Sequence, residues 1–250
     1  MLATSTGYYL YGFIDCNQAL EITTKAVGGN DSVHNLPYHG IGVLYSAVNG
    51  KTVQPTRDNL MAHQKLLESL MEQYTVLPMR FGIVAPTKGV LYDGLNKSSS
   101  IIRSKLLYFQ GKRELNIKAF WVKEYIYGYI INSYPNIRSF RDSIQKLKGQ
   151  TGHYKSIELG QMVERALIAE SEKEADAIVS EISSIASQTN KSKIFGELMF
   201  LNLAVLVKDQ MESQLDQLVN EAAEKRIGKV QFKYTGPTPP ASFVDIHLKV

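Results

Sequence analysis

Leu115-Asn116-Ile117-Lys118-Ala119-Phe120-Trp121 sets apolar side chains at 115, 117, 119 and 121 against Asn116, Lys118 and Phe120. A period of two over seven residues is the pattern of a strand with one face on a core. It is the clearest strand in the chain, and what lies on either side decides the fold class. Upstream, Tyr8 to Ile14 is a nearly unbroken apolar run between Gly7 and Asp15, too short for a typical helix and read as a buried strand. Ile41, Val43, Tyr45 and Ala47 alternate in a second strand that ends at Asn49-Gly50, and Thr23 to Val27 forms a weaker one. After Pro55, Thr56 caps a helix with Leu60, His63, Leu67, Leu70, Met71 and Tyr74 on one face. Val76 to Val84 is strand-like again. Thr87 then opens a helical region carrying Leu91, Leu95, Ile102, Leu106 and Phe109, with a break expected at Gly94 and Ser98 to Ser100.

Strands mixed with two amphipathic helices that cover one face of a mainly antiparallel sheet describe an α+β sandwich over residues 1–124, in the ferredoxin-like style. Downstream, helical sequence runs from Lys123 to Lys148 with Pro135 inside it. A long helix covers Ser156 to Ser187, and the apolar run Phe195 to Val207 reads as a central strand. A helix through Met211, Leu215, Leu218 and Ala222 and a strand through Val230, Phe232 and Tyr234 complete a second, helix-rich α+β domain, 125–234. Residues 235–250 remain as an extension. There Pro237, Pro239 and Pro240 fall within four positions behind Gly236, and proline fixes φ and removes the amide donor, so a stiff polyproline-like strap is expected. Phe243, Val244, Ile246 and Leu248 follow, which predicts a segment that docks back on the body.

Composition bounds the function. A chain of 250 residues with 44% apolar content can bury one large core or two smaller ones. The net charge of +4, from 28 basic and 24 acidic residues, is too mild to imply nucleic acid. Cys16 is the single cysteine, so no intrachain disulfide and no thiolate metal cluster can form. Leu198 to Val207 is the longest apolar stretch and is interrupted by Asn202, short of the about 20 residues of a helical membrane span. Met1 to Gly7 lacks the basic and apolar regions of a secretory signal, and a soluble, cytoplasmic protein that binds no lipid membrane is expected.

Residues with the spacing of a catalytic or metal site are few. His34 and His39 flank Pro37 in an expected loop at a spacing that fits no zinc signature, and His63 on its apolar stripe reads as a hydrogen-bonded core residue. Gly89 to Gly94 has phosphate-loop glycine spacing but is followed by Leu95 where a lysine is needed. Ser143 to Lys146 spells a serine–lysine motif without its companion motifs. No metal, no cofactor and no enzyme activity are expected.

Two segments are distinctive together: Thr75-Val76-Leu77-Pro78-Met79-Arg80-Phe81-Gly82, and Tyr234-Thr235-Gly236-Pro237 through Phe243-Val244. With His63, the Gly111 to Glu114 turn and the strand ending at Trp121, in this order along essentially the whole chain, they resemble the gas vesicle protein F and L family. The resemblance implies two ferredoxin-like domains with a C-terminal extension packed back on them. It further implies a role in building the hollow protein shells that provide buoyancy, as a minor shell component or assembly factor located at the gas vesicle in the cytoplasm. Implied partners are the small, hydrophobic major shell protein, shielded from aggregation during nucleation, and other gas vesicle accessory proteins.

His63, Leu77, Pro78, Arg80, Phe81, Gly82, Trp121, Tyr234, Gly236, Pro237, Pro239, Pro240 and Phe243 are the signature positions. They are read mainly as structural: Pro78 at a strand edge, Phe81 in the core, Gly82 for close backbone approach, Arg80 paired with a carboxylate or with carbonyls of the returning tail. Thr238, Ala241 and Ser242 depart from the larger side chains usual in the family. The alternative is a cytosolic small-ligand sensor built on paired ferredoxin-like domains.

Overall fold

Four strands precede the first helix. They are β1 (Thr6–Ile14), β2 (Leu20–Thr23), β3 (Ser32–Tyr38) and β4 (Ile41–Asn49), followed by α1 (Arg57–Leu70), the short strands β5 (Val76–Pro78) and β6 (Val84–Ala85), and α2 (Lys88–Phe109). The strands form one sheet in the order β2-β3-β4-β1-β5, with β6 also on β1, and each of these pairings is antiparallel. The computed structural model describes residues 6–29, 32–145 and 147–248. Lys146 of the serine–lysine motif lies outside the described residues.

Every residue from Tyr9 to Ile14 except Gly12 is a buried apolar side chain, so both faces of β1 are covered. On one face Leu66, Leu67 and Leu70 of α1 cluster with Tyr9 and Tyr11. Leu91, Leu95, Ile102, Leu106 and Phe109 of α2 are buried apart from that cluster, and α2 packs on β1, β4, β5 and β6. This corrects the single covered face expected from sequence. Burial also explains why α2 does not break: Gly94 is buried on its inner side, and packing of five large apolar residues outweighs the cost of about 1 kcal/mol for a helical glycine.

The segment from His34 to His39 is no loop. It is strand β3, with the hairpin turn at His39 and Gly40, whose φ angles are 48° and 80°. Pro37 is tolerated because β2 pairs only with Ser32–Asn35, leaving the proline's side of β3 uncovered.

The second sheet holds β7 (Lys112–Trp121), β8 (Gln188–Lys191), β9 (Met199–Lys208) and β10 (Val230–Thr238) in the order β10-β7-β9-β8. Between them come α3 (Lys123–Ser133), α4 (Pro135–Ile144) and α5 (Gly149–Ser183) after β7, and α6 (Glu212–Glu224) after β9. Pro135 does not kink a continuous helix but begins α4, where its missing N–H is harmless. The apolar run becomes β9 only from Met199, an inner strand as expected; Phe195 is 64% exposed.

By compactness the chain divides into Leu115–Gly236 and a unit made of the sequence through Glu114 plus the residues from Pro237 on. The strand 115–121 therefore belongs to the second sheet, and the division falls at 114/115 instead of 124/125. Alternation reports that one face is covered without saying by which core; here Leu115, Ile117, Ala119 and Trp121 pack with Ile178, Ile182 and Val219. Nor do residues 235–250 stand apart, since those from Pro237 group with the first unit. The second unit follows the order strand-helix-strand-strand-helix-strand, with three helices in the first helical position, whereas the first unit departs from it by placing four strands ahead of α1.

Candidate functional site

His63 is the hub of the first group of signature residues. It is 8% exposed on α1, with Nδ1 2.8 Å from the Tyr9 hydroxyl and Nε2 3.1 Å from the Met79 carbonyl. A carbonyl can only accept, so Nε2 carries the proton and Nδ1 accepts from the Tyr9 O–H. Burial lowers the imidazole pKa to about 4, against a smaller upward pull from Met79, so the ring is neutral at pH 7. Tyr11 stacks on it at 5.5 Å, and Phe81 meets it edge-on at 5.9 Å. The Tyr11 hydroxyl accepts from the Val27 N–H at 2.7 Å and bonds the Ser46 hydroxyl at 3.0 Å. Burial raises the pKa of both tyrosines, which stay protonated.

Residues 76–85 form an interrupted edge along β1. Leu77 pairs with Phe13 and Pro78 with Gly12, and the Met79 N–H donates to the Tyr11 carbonyl at 2.8 Å. Tyr11 is the extra residue where the β1–β4 register shifts, and a bulge of this kind bends the strand and re-aims its side chains. The chain then loops out and returns as β6, with the Leu10 N–H donating to the Ile83 carbonyl at 2.9 Å. Close backbone approach is the requirement at Gly12, where a Cβ would lie 2.4 Å from the Leu77 carbonyl oxygen. Gly82 has open space at its Cβ position, and its φ of 94° is what calls for glycine there.

Arg80, read as paired with a carboxylate or with the returning tail, does lie 4.0 Å from the tail's Asp245, but in the open, with side-chain exposures of 80% and 69%. An exposed pair at that distance contributes little. The firmer tie of the tail is elsewhere. Glu114 is 3% exposed in β7, and its carboxylate accepts from the Ser242 N–H at 2.8 Å and the Ser242 hydroxyl at 2.7 Å, while the Thr238 hydroxyl reaches the Glu114 carbonyl at 3.4 Å. Two of the three positions that depart from the family's larger residues thus hold the tail. Pro237 still lies in β10, Gly236 has a φ of 124°, and Pro239 and Pro240 are buried. Amides of Phe243 and Val244 both donate to the Pro240 carbonyl, so the chain turns directly after the prolines. Phe243 is half-buried.

In the second unit Trp121 donates from Nε1 to the Ser171 hydroxyl at 2.8 Å and packs against Phe200 at 4.6 Å. Tyr234 donates to Asp216 at 2.7 Å, with its pKa raised by burial and by that carboxylate. Arg226 is the group the sequence reading missed. It is 8% exposed and bonds Glu174 at 2.5 Å and Glu181 at 2.8 Å, both on α5. Burial opposes its charge, yet the two carboxylates outweigh this and raise its pKa, while the Arg226 bond lowers that of Glu181. Its partners stand 45 and 52 residues away, and no local pattern announces such a pairing. A groove of about 620 Å³ runs between α5 and the start of β9, over Leu167, Ile168, Ile194 and Phe200.

Within each unit His63, Phe81, Trp121 and Tyr234 are therefore engaged by internal partners, while Arg80 stays in the open. Among the described residues no three His, Cys, Asp or Glu side chains stand ready for a metal ion, and no helix is long and apolar enough to cross a membrane.

Comparison with known proteins supplies the context for this architecture. The family described as gas vesicle synthesis protein GvpL/GvpF matches residues 7–245. Gas vesicle protein F of Nostoc sp. (strain PCC 7120 / SAG 25.82 / UTEX 2576) is 26% identical over 246 residues, covering 97% of this chain and 99% of that relative. Gas vesicle protein F1 of Halobacterium salinarum (strain ATCC 700922 / JCM 11081 / NRC-1) is 22% identical over 243 residues, 96% of this chain and 93% of the relative. The crystal structure of GvpF from Anabaena sp. PCC7120 is similar with a TM-score of 0.83 at 26% identity, covering 97% of this chain and 100% of that one. That of GvpF from Microcystis aeruginosa has a TM-score of 0.77 at 24% identity, covering 96% and 99%.

Proposed function

The chain belongs to the GvpL/GvpF family of gas vesicle synthesis proteins, and from that premise we propose that it is a binding and assembly protein of the gas vesicle that works without catalysis. It acts in the cytoplasm at the growing vesicle, as a minor component that captures the hydrophobic major shell protein and holds it apart from other copies until nucleation. Both units are ferredoxin-like in this reading, the first in a modified form, with the proline-containing tail closing it.

One observation carries the proposal: His63, Tyr9, Glu114, Trp121 and Tyr234 are all held in internal hydrogen bonds. The signature builds a scaffold, and what it leaves for partners is the surface. That surface includes large apolar side chains in the open, among them Ile101, Leu107, Tyr154, Ile168, Phe195 and Ile227, each at least 51% exposed. Exposed apolar area of this kind suits capture of a greasy subunit before it polymerises.

Coexpression with the major shell protein tests the reading. Co-purification of the two, and loss or malformation of vesicles when the gene is deleted, are the expected results. Absence of association together with normal vesicles in the deletion strain refutes it.

A further inference from the structure

The geometry points to the groove on α5 as the seat of an amphipathic helix of the shell protein, one whose apolar stripe is flanked by lysine or arginine. This rests on the shell-binding reading above and adds to it the surface and the chemistry of the contact.

Glu164, Leu167, Ile168, Ser171, Glu172 and Ala175 all line the groove from α5. Their spacing of i, i+3, i+4, i+7, i+8 and i+11 is one face of a helix, the pattern against which a second helix packs ridge into groove. Leu167 and Phe200 form a floor that is 5% and 6% exposed, while Ile168 and Ile194 stand at the lips, 51% and 49% exposed. The apolar surface thus rises from a buried base to an open rim, which a partner's apolar stripe can cover.

Charge selects the partner. Glu164 and Glu172 each sit about one turn from Ile168, on either side of it along the groove, and among the described residues neither has an ion-pair or hydrogen-bond partner. Lys191, which also lines the groove, is neutralised by Asp176 at 2.7 Å, and Glu197 at the far wall receives the Tyr127 hydroxyl at 2.5 Å without gaining a cation. The rim is therefore acidic on a chain whose net charge is +4, so the sign belongs to the groove and not to the background. Unpaired carboxylates beside exposed isoleucines favour a stripe with basic flanks and repel an acidic one.

The test uses the full chain coexpressed with the major shell protein, with a photo-crosslinking benzoylphenylalanine in place of Ile168 or, as control, of Leu107, which is 69% exposed in the first unit. Both positions are open, so neither change threatens folding. Adducts from position 168 and none from 107, on a shell-protein peptide that contains lysine or arginine, are the expected result. The charge reversal Glu164→Lys with Glu172→Lys is expected to weaken co-purification roughly tenfold at low salt, with the wild-type complex itself weakening as salt rises. Intact co-purification without an adduct at 168, an adduct on an acidic segment, or indifference to the double reversal overturns the groove and leaves the proposed function standing. Failure of the unmodified protein to co-purify overturns the groove and, together with normal vesicles in the deletion strain, the proposed function as well.

Discussion

Acidification below pH 6.5 should weaken the first unit through His63. The imidazole titrates near 6.5 when exposed in the unfolded chain and near 4 in its buried place between Tyr9 and Met79. Its folded pKa is depressed, so above pH 6.5 neither state binds the proton and folding is undisturbed. As pH falls from 6.5 towards 4 the unfolded chain takes up a proton that the folded chain refuses, and stability drops with each step. Integrated between pH 7 and pH 5, the loss is roughly 2 kcal/mol for this one group, a large fraction of the stability of a typical domain. The measurement is urea unfolding at pH 7 and pH 5 for the wild type and His63→Gln. Glutamine keeps polar atoms near Tyr9 and Met79 but cannot titrate. The variant should be less stable at pH 7 by about 1–3 kcal/mol for its disturbed hydrogen bonds, and the gap should narrow by roughly 2 kcal/mol at pH 5. The four other histidines are present in both proteins, so whatever they contribute cancels in the difference. A gap that stays constant between the two pH values, or an NMR titration of His63 in the folded protein with a midpoint near 6.5, refutes the reasoning.

Arg226→Met should destabilise the second unit by about 3–5 kcal/mol, because it strands Glu174 and Glu181 beside a buried site; urea denaturation followed by Trp121 fluorescence reads it. Gly12→Ala should cost about 1–3 kcal/mol, since the new methyl meets the Leu77 carbonyl oxygen, a backbone atom that cannot swing aside; calorimetry checks it, and an unchanged melting temperature counts against the close approach. Ser242→Ala removes the hydroxyl but leaves the amide on Glu114, so it should cost about 1 kcal/mol, whereas a chain ending at Gly236 leaves the Glu114 carboxylate without the tail and should melt markedly lower. Unchanged melting with lost shell-protein binding in that truncation would make the tail a binding segment instead of a structural one.

Most helices and strands were legible because their faces are periodic. Thr56 and Thr87 were readable as caps from their position before an apolar stripe, and each accepts from the amide three residues on. The placement of His63 as a core histidine followed from the same stripe. Assignment of strands to sheets was not legible: Leu115 to Trp121 announces its own geometry, but its partners Ile178 and Val219 lie far along the chain. Pro37 concealed β3 for a related reason, since a proline argues against a strand only where a neighbour needs its amide, and the neighbour stops short at Asn35. Arg80 meets a carboxylate of the tail, as its motif position suggested, but on the surface, while the buried ion cluster formed at Arg226, in a sequence context with no motif at all.

The bond between Glu114 and Ser242 also sets a schedule. It joins residues 128 apart, and the whole of Leu115–Gly236 is inserted between the two pieces of the first unit. At synthesis rates of 5–20 residues per second, about 6 to 25 s separate the appearance of the carboxylate from that of the serine that bonds it. During that interval the second unit can fold while the first still lacks its last segment. The first part of the protein to be made is thus the last to be finished.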